Sequence, residues 1–192
     1  HRIYAEHGVP AASDEEILAR IGETYGRFIE WLIPQGFPRD AARLAERISE
    51  IELQSIRTRG ELFEGVSCAL ETLRARGVAI SLCTNGDRRY ADFVLKMCGI
   101  AERFDAMATH EDDGDSKTEH VGELLAEFRP EHALVIGDRR ADIEAGIAHG
   151  CVTVGAAYGY ARPGELDDAT HIIERFAQLV PIVETTGDVR AV

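Results

Sequence analysis

The chain has 192 residues, 45% of them apolar and 29% charged, with only 6 Pro and 18 Gly, which suits one globular domain, or one with a small insert, and excludes disordered, collagenous and low-complexity classes. The formal charge of −13 is uneven: residues 1–60 hold 8 Arg against 10 acids, whereas residues 61–192 hold 13 basic and 24 acidic residues. Such an acidic surface repels phosphate backbones and argues against nucleic acid as a partner, and with no apolar run near the roughly 20 residues of a membrane span and no signal-peptide pattern, a cytoplasmic protein without membrane partners is expected.

Residues 14–57 carry helix signals and no strand signal. Ser13 with Glu16 three residues on makes a capping box, and Ile17, Leu18, Ile21, Tyr25, Phe28, Ile29 and Leu32 follow at helical spacing, which predicts one helix running to Leu32. Pro34, Gly36 and Pro38 break it. A second helix is predicted from Pro38, as a first-turn proline, with Ala41, Leu44, Ala45, Ile48 and Ile51 on one face, ending near Gly60.

From Glu61 the pattern changes to short apolar runs alternating with helices, as in a parallel sheet built from βαβ units. A helix over Ser67–Arg76 stops at Gly77, and Val78–Cys83 reads as a buried strand ending at Thr84-Asn85-Gly86. Then come a helix around Tyr90, Phe93, Val94 and Met97, a short run from Phe104 to Ala108, an acidic loop at Glu111–Asp115, and a helix from near Lys117 carrying Val121, Leu124, Leu125 and Phe128. Ala133–Ile136 is the clearest strand. It leads through Gly137-Asp138 into a helix over Ala141–His149, followed by strand Cys151–Gly155, a run at His171-Ile172-Ile173, a brief helix, and a frayed tail from Thr185.

Open α/β sheets bind ligands at the carboxyl ends of their strands. Three places qualify: Thr84-Asn85 closes one strand, Asp138 another, and Lys117 follows the loop after a third. Asp138 and Asp142, four apart at a strand end and a helix start, can face one hard cation such as Mg²⁺. The hydroxyl of Thr84 and the amide of Asn85 could hold phosphoryl oxygens whose charge Lys117 offsets. Each feature also has an ordinary meaning: Gly-Asp and Thr-Asn-Gly are common turns, and an early helical Asp is favoured by the helix dipole. Lys96 and Lys117 are, however, the only lysines among 21 basic residues. The 4 cysteines form no C-x-x-C pair, and Cys83 and Cys151 are expected as buried thiols. The 7 histidines lack metal spacing, and Phe28 and Trp31 are expected in the core.

Leu62-Phe63-Glu64-Gly65-Val66, Leu73 to Gly77, Ser81 to Gly86, Lys117, and Val135 through Gly146, followed by Gly150 and Tyr158-Gly159-Tyr160, together resemble the haloacid dehalogenase superfamily, and within it the phosphoglycolate phosphatase type. The resemblance implies a Rossmann-like, three-layer α/β core with a parallel sheet over residues 61–192 and a small α-helical cap over residues 1–60. It further implies a Mg²⁺-dependent phosphatase that hydrolyses a small phosphorylated metabolite through an aspartyl-phosphate. Thr84 and Asn85 would bind the transferring phosphoryl group, Lys117 would hold nucleophile and phosphate together, and Asp138 and Asp142 would bind the metal. The family's Asp-x-Asp nucleophile segment does not occur in the 192 residues, and Glu64 and Thr118 stand where proline is usual. Since the chain opens on His1 rather than Met, that segment is expected upstream. Alternatives are a catalytically silent binding protein of the same fold or a metal-independent dehalogenase. A monomer or homodimer is expected, and Arg20, Arg27 and Arg57 are unranked candidates for substrate selection.

Overall fold

The computed structural model describes residues 1–110 and 116–186, together with the backbone of 189–191; the acidic loop at Glu111–Asp115 lies outside them.

The N-terminal part is helical: α1 (Arg2–His7), α2 (Asp14–Leu18), α3 (Tyr25–Leu32) and α4 (Ala41–Arg59). The Ser13–Glu16 capping box forms as expected. The single helix predicted to Leu32 is instead two, because Gly22 adopts a left-handed φ of 89° and the Thr24 hydroxyl then accepts from Arg27 N to cap a new helix. Likewise, Pro38 precedes α4 rather than entering it, since the Asp40 carboxylate accepts from Arg43 N at 3.1 Å and fixes the start three residues later. Ile3, Tyr4, Ile29, Leu32, Phe37, Leu44 and Ile48 close into an apolar cluster among these helices.

The remainder alternates as the sequence predicts: α5 (Val66–Ala75), β1 (Ser81–Thr84), α6 (Arg88–Met97), β2 (Ala106–Thr109), α7 (Lys117–Phe128), β3 (His132–Gly137), α8 (Arg140–Ala148), β4 (Val152–Ala156), β5 (His171–Ile173), α9 (Leu179–Thr186) and β6 (Val189–Ala191). This is the expected α/β fold with parallel strands. Its core gathers Leu70, Leu73, Val78, Ile80, Leu134, Val154 and Ile173, and a smaller cluster lies around Val121, Leu124 and Val135. Strand β1 begins later than Val78 because the Asp105 carboxylate takes the Ile80 amide at 2.8 Å, while Asp105 N donates to Ile80 O at 2.7 Å.

The strands are parallel as expected, and one feature differs, the tail expected to fray. The described strands form two sheets, β1–β2 and β5-β4-β3-β6, with no pairing between β1 and β3. The tail forms β6, which lies parallel along His132–Leu134 of β3 and supplies partners to an edge that would otherwise be bare. It stops there, so on that side Val135–Gly137, the half of β3 leading to Asp138, pairs with no described strand.

Candidate active site

Both β1 and β3 end at one cavity of about 590 Å³, roofed by the α2–α3 loop, α3 and α4. Thr84, Asn85, Lys117, Asp138 and Asp142 all line it, so one cavity wall gathers the five residues singled out in the sequence.

Lys117 opens α7, where the Ser116–Glu119 capping box fixes the helix start. Its Nζ donates to Asp142 Oδ1 at 2.6 Å. Asp142 is buried and Lys117 partly so. Burial works against the ammonium, but the adjacent carboxylate outweighs it and holds Lys117 above the usual lysine value. The second oxygen of Asp142 accepts from Arg139 N at 2.9 Å and caps α8. This carboxylate lies so close to the β3 turn that a Cβ on Gly137 would stand 2.1 Å from Asp142 Cγ. The glycine is therefore a space requirement.

Asp138 is held differently. Its Oδ2 accepts from Tyr160 N at 2.6 Å, and Gly159 admits it, since a Cβ there would come within 2.4 Å of the carboxylate. Oδ1 of Asp138 has no protein partner among the described residues. Of the two carboxylates expected to share a cation, only Asp138 thus presents an uncommitted oxygen. That fits a hard cation that keeps most of its waters and takes few protein ligands.

The Thr84 hydroxyl accepts from Gly86 N at 3.1 Å, which closes the turn after β1. Asn85 is directed toward the roof: its Nδ2 donates to Gly22 O at 2.7 Å and ties the α2–α3 loop to the end of β1. The same loop rests on Arg139, whose Cγ would lie 3.3 Å from a Cβ on Gly22, and Arg139 in turn contacts Glu165 at 3.3 Å. Cys83 also faces the cavity, but burial pushes its thiol up to about 11, so it stays protonated and is a poor nucleophile at neutral pH.

The three candidate arginines separate. Arg20 lines the cavity, Arg27 lines a neighbouring one of about 610 Å³, and Arg57 lines neither, its guanidinium lying 5.6 Å from the Phe93 ring centre. Sequence reasoning missed Glu52, Tyr25 and Tyr90 as cavity residues. A signal existed for Glu52: it continues the Leu44, Ile48 row at i+4, where a carboxylate interrupts an otherwise apolar face.

Residues 2–150 match the family model of the haloacid dehalogenase-like hydrolases. A phosphoglycolate phosphatase from Mannheimia succiniciproducens is 30% identical over 193 residues, covering 93% of this chain and 86% of that protein. The tyrosine-protein kinase PtkA of Mycobacterium tuberculosis is 31% identical over 131 residues, 66% of this chain, and this chain spans only 45% of that protein's length. A crystal structure described as a predicted phosphoglycolate phosphatase from Haemophilus somnus superposes with a TM-score of 0.81 at 22% identity, covering 95% of this chain and 87% of that one, which shows the shared fold. By the family match and the identity to a phosphatase along almost its full length, the chain belongs to the haloacid dehalogenase-like hydrolase family.

Proposed function

We propose that this protein is a Mg²⁺-dependent phosphatase that cleaves a small phosphate monoester of about the size of phosphoglycolate, through an aspartyl-phosphate. The observation that carries this is the convergence of Thr84, Lys117 and Asp138 on one cavity at the ends of β1 and β3. Hydrolysis of phosphoglycolate is named for one relative and phosphoryl transfer to protein tyrosine for another, so handling of phosphoryl groups is common to both.

In this mechanism the Thr84 hydroxyl and the amides of its turn bind phosphoryl oxygens, and Lys117 neutralises their charge. Asp142 is the positioning residue that fixes the ammonium, and Asp138 presents its free oxygen to the cation. When bound, the cation supplies charge stabilisation on the transferring group. The attacking carboxylate would come from an Asp-x-Asp segment of the family type, which the 192 residues do not contain. Among the described residues Val135–Gly137 of β3 pairs with β4 on one side only, which supports a further strand on the other. The domain division proposed with this function places the cap at residues 1–60 and the core at 61–192, with the cavity between them.

The test is phosphate release from a panel of small esters by full-length protein. Turnover should stop with a chelator and return on adding Mg²⁺. Turnover that survives complete metal removal would contradict the proposal.

A further inference from the structure

The roof of the cavity carries an acid that the phosphatase mechanism does not use. Glu52, on α4, lines the cavity half-buried, and its Oε2 accepts a hydrogen bond from the Tyr25 hydroxyl. Among the described residues, no Lys, Arg or His lies within ion-pair distance of Glu52, and its other oxygen has no hydrogen-bond partner. Burial pushes its proton affinity up, the Tyr25 bond only partly offsets this, and the Asp87 carboxylate pushes it further up. A carboxylate held in this way, without a cation, is costly unless something else supplies hydrogen-bond donors.

Beyond Tyr25, no described neighbour donates to Glu52. Tyr25 is already committed to Glu52. Tyr90 faces the same space, and its ring lies over the turn after β1: a Cβ on Gly86 would come 2.9 Å from Tyr90 Cδ1. One aromatic ring therefore links the phosphate-binding turn with the acidic roof. The one cap arginine on the cavity, Arg20, is bound to Glu23 at 2.9 Å and lies 5.4 Å from the Trp31 ring centre. Two acids, Glu23 and Glu52, thus face one arginine. Arg139 is engaged by Glu165. Arg20 Nε keeps a buried donor without a hydrogen-bond partner, so a carboxylate on the leaving group would meet Arg20 as its one roof cation with Glu23 and Glu52 against it.

We propose that Glu52, supported by Tyr25, is the specificity-determining residue of this site and reads a hydrogen-bond donor, a hydroxyl or an ammonium, on the leaving group of the phosphate ester. This rests on the phosphatase function and narrows it: the substrate matches phosphoglycolate in size but is opposite in character at its far end. A half-buried carboxylate with one oxygen free discriminates in this role, because a ligand without the donor leaves that oxygen without a partner.

The experiment compares four esters with full-length protein: glycerol phosphate, phosphoethanolamine, phosphoglycolate and propyl phosphate. Hydrolysis gives kcat/KM for each, and calorimetric titration in the presence of Mg²⁺ gives Kd independently of turnover. The wild type should favour glycerol phosphate or phosphoethanolamine over both phosphoglycolate and propyl phosphate, by about tenfold or more. Of the two favoured esters, the better one tells hydroxyl from ammonium. In Glu52→Gln, which keeps the shape and an acceptor for Tyr25, the preference over phosphoglycolate should shrink by about tenfold, and a thermal melt confirms that the variant is folded. A wild-type preference for phosphoglycolate, which would make Arg20 the reader, overturns the proposal, as does a preference unchanged in Glu52→Gln. If no ester is hydrolysed, the phosphatase function fails, and the order of Kd values still decides for or against the role of Glu52.

Discussion

At the scale of single residues, the site depends on atoms having nowhere else to go. Replacing Gly137 by alanine would drive a Cβ into Asp142, so Gly137→Ala should disrupt both the α8 cap and the Lys117 pair. Overpacking of this kind costs about 1–3 kcal/mol, and displacing Asp142 from Lys117 adds to it. A lowered midpoint in denaturant would show this, and a midpoint equal to wild type would refute it. The pair also has a pH signature. Lys117 has a raised folded-state value, so its stabilisation is present throughout neutral pH and is lost only as pH climbs past the ordinary lysine range of about 10.4. Asp142→Asn should therefore lower stability at pH 7 and flatten the loss at alkaline pH. Glu52 has the opposite consequence: an acid whose folded value is raised binds its proton more tightly in the fold, so its contribution falls as pH rises above the unfolded value of about 4.3. Glu52→Gln should make the protein more stable at pH 7 than wild type, with no such gain at pH 4. This is the expected pattern where a group is kept for recognition at the expense of stability.

At the scale of elements, the strands and helices of the α/β part were legible because their signals are local. Continuous β-branched and apolar runs followed by helical spacing located β3, α8 and β5 within a residue or so. The failures share a cause. The helix expected from Ser13 to Leu32 breaks at Gly22, and the loop from Ala19 to Thr24 is then held by distant groups, the Asn85 amide and the Arg139 side chain, which periodicity along the chain cannot register. That break forms the roof of the site. The same blindness hid Glu52, whose role comes from what α4 faces, and β6, whose pairing depends on a vacant edge of β3. By contrast, Thr84, Lys117 and Asp138 could be picked out, since strand ends in this fold meet at one edge whatever the loops do. The Asn85 to Gly22 bond gives a prediction at this scale. Asn85→Ala should free the α2–α3 loop, seen as faster amide exchange at residues 19–24 with the α4 amides unchanged, and unaltered exchange in the loop would show that Asn85 does not hold it.

At the scale of the whole molecule, a helical layer with its own apolar cluster lies over the end of a parallel α/β core, and the proposed chemistry belongs to the cavity where they meet. The acidity concentrated after residue 60 includes Asp138, whose free oxygen faces that cavity. The central claim is that this oxygen holds the cation on which phosphoryl transfer depends. The most direct measurement is the Mg²⁺ dependence of phosphate release by full-length protein carrying Asp138→Asn, beside wild type. The account predicts that kcat/KM falls by about a hundredfold or more and that far more Mg²⁺ is needed for the activity that remains. Turnover and Mg²⁺ response indistinguishable from wild type would contradict it.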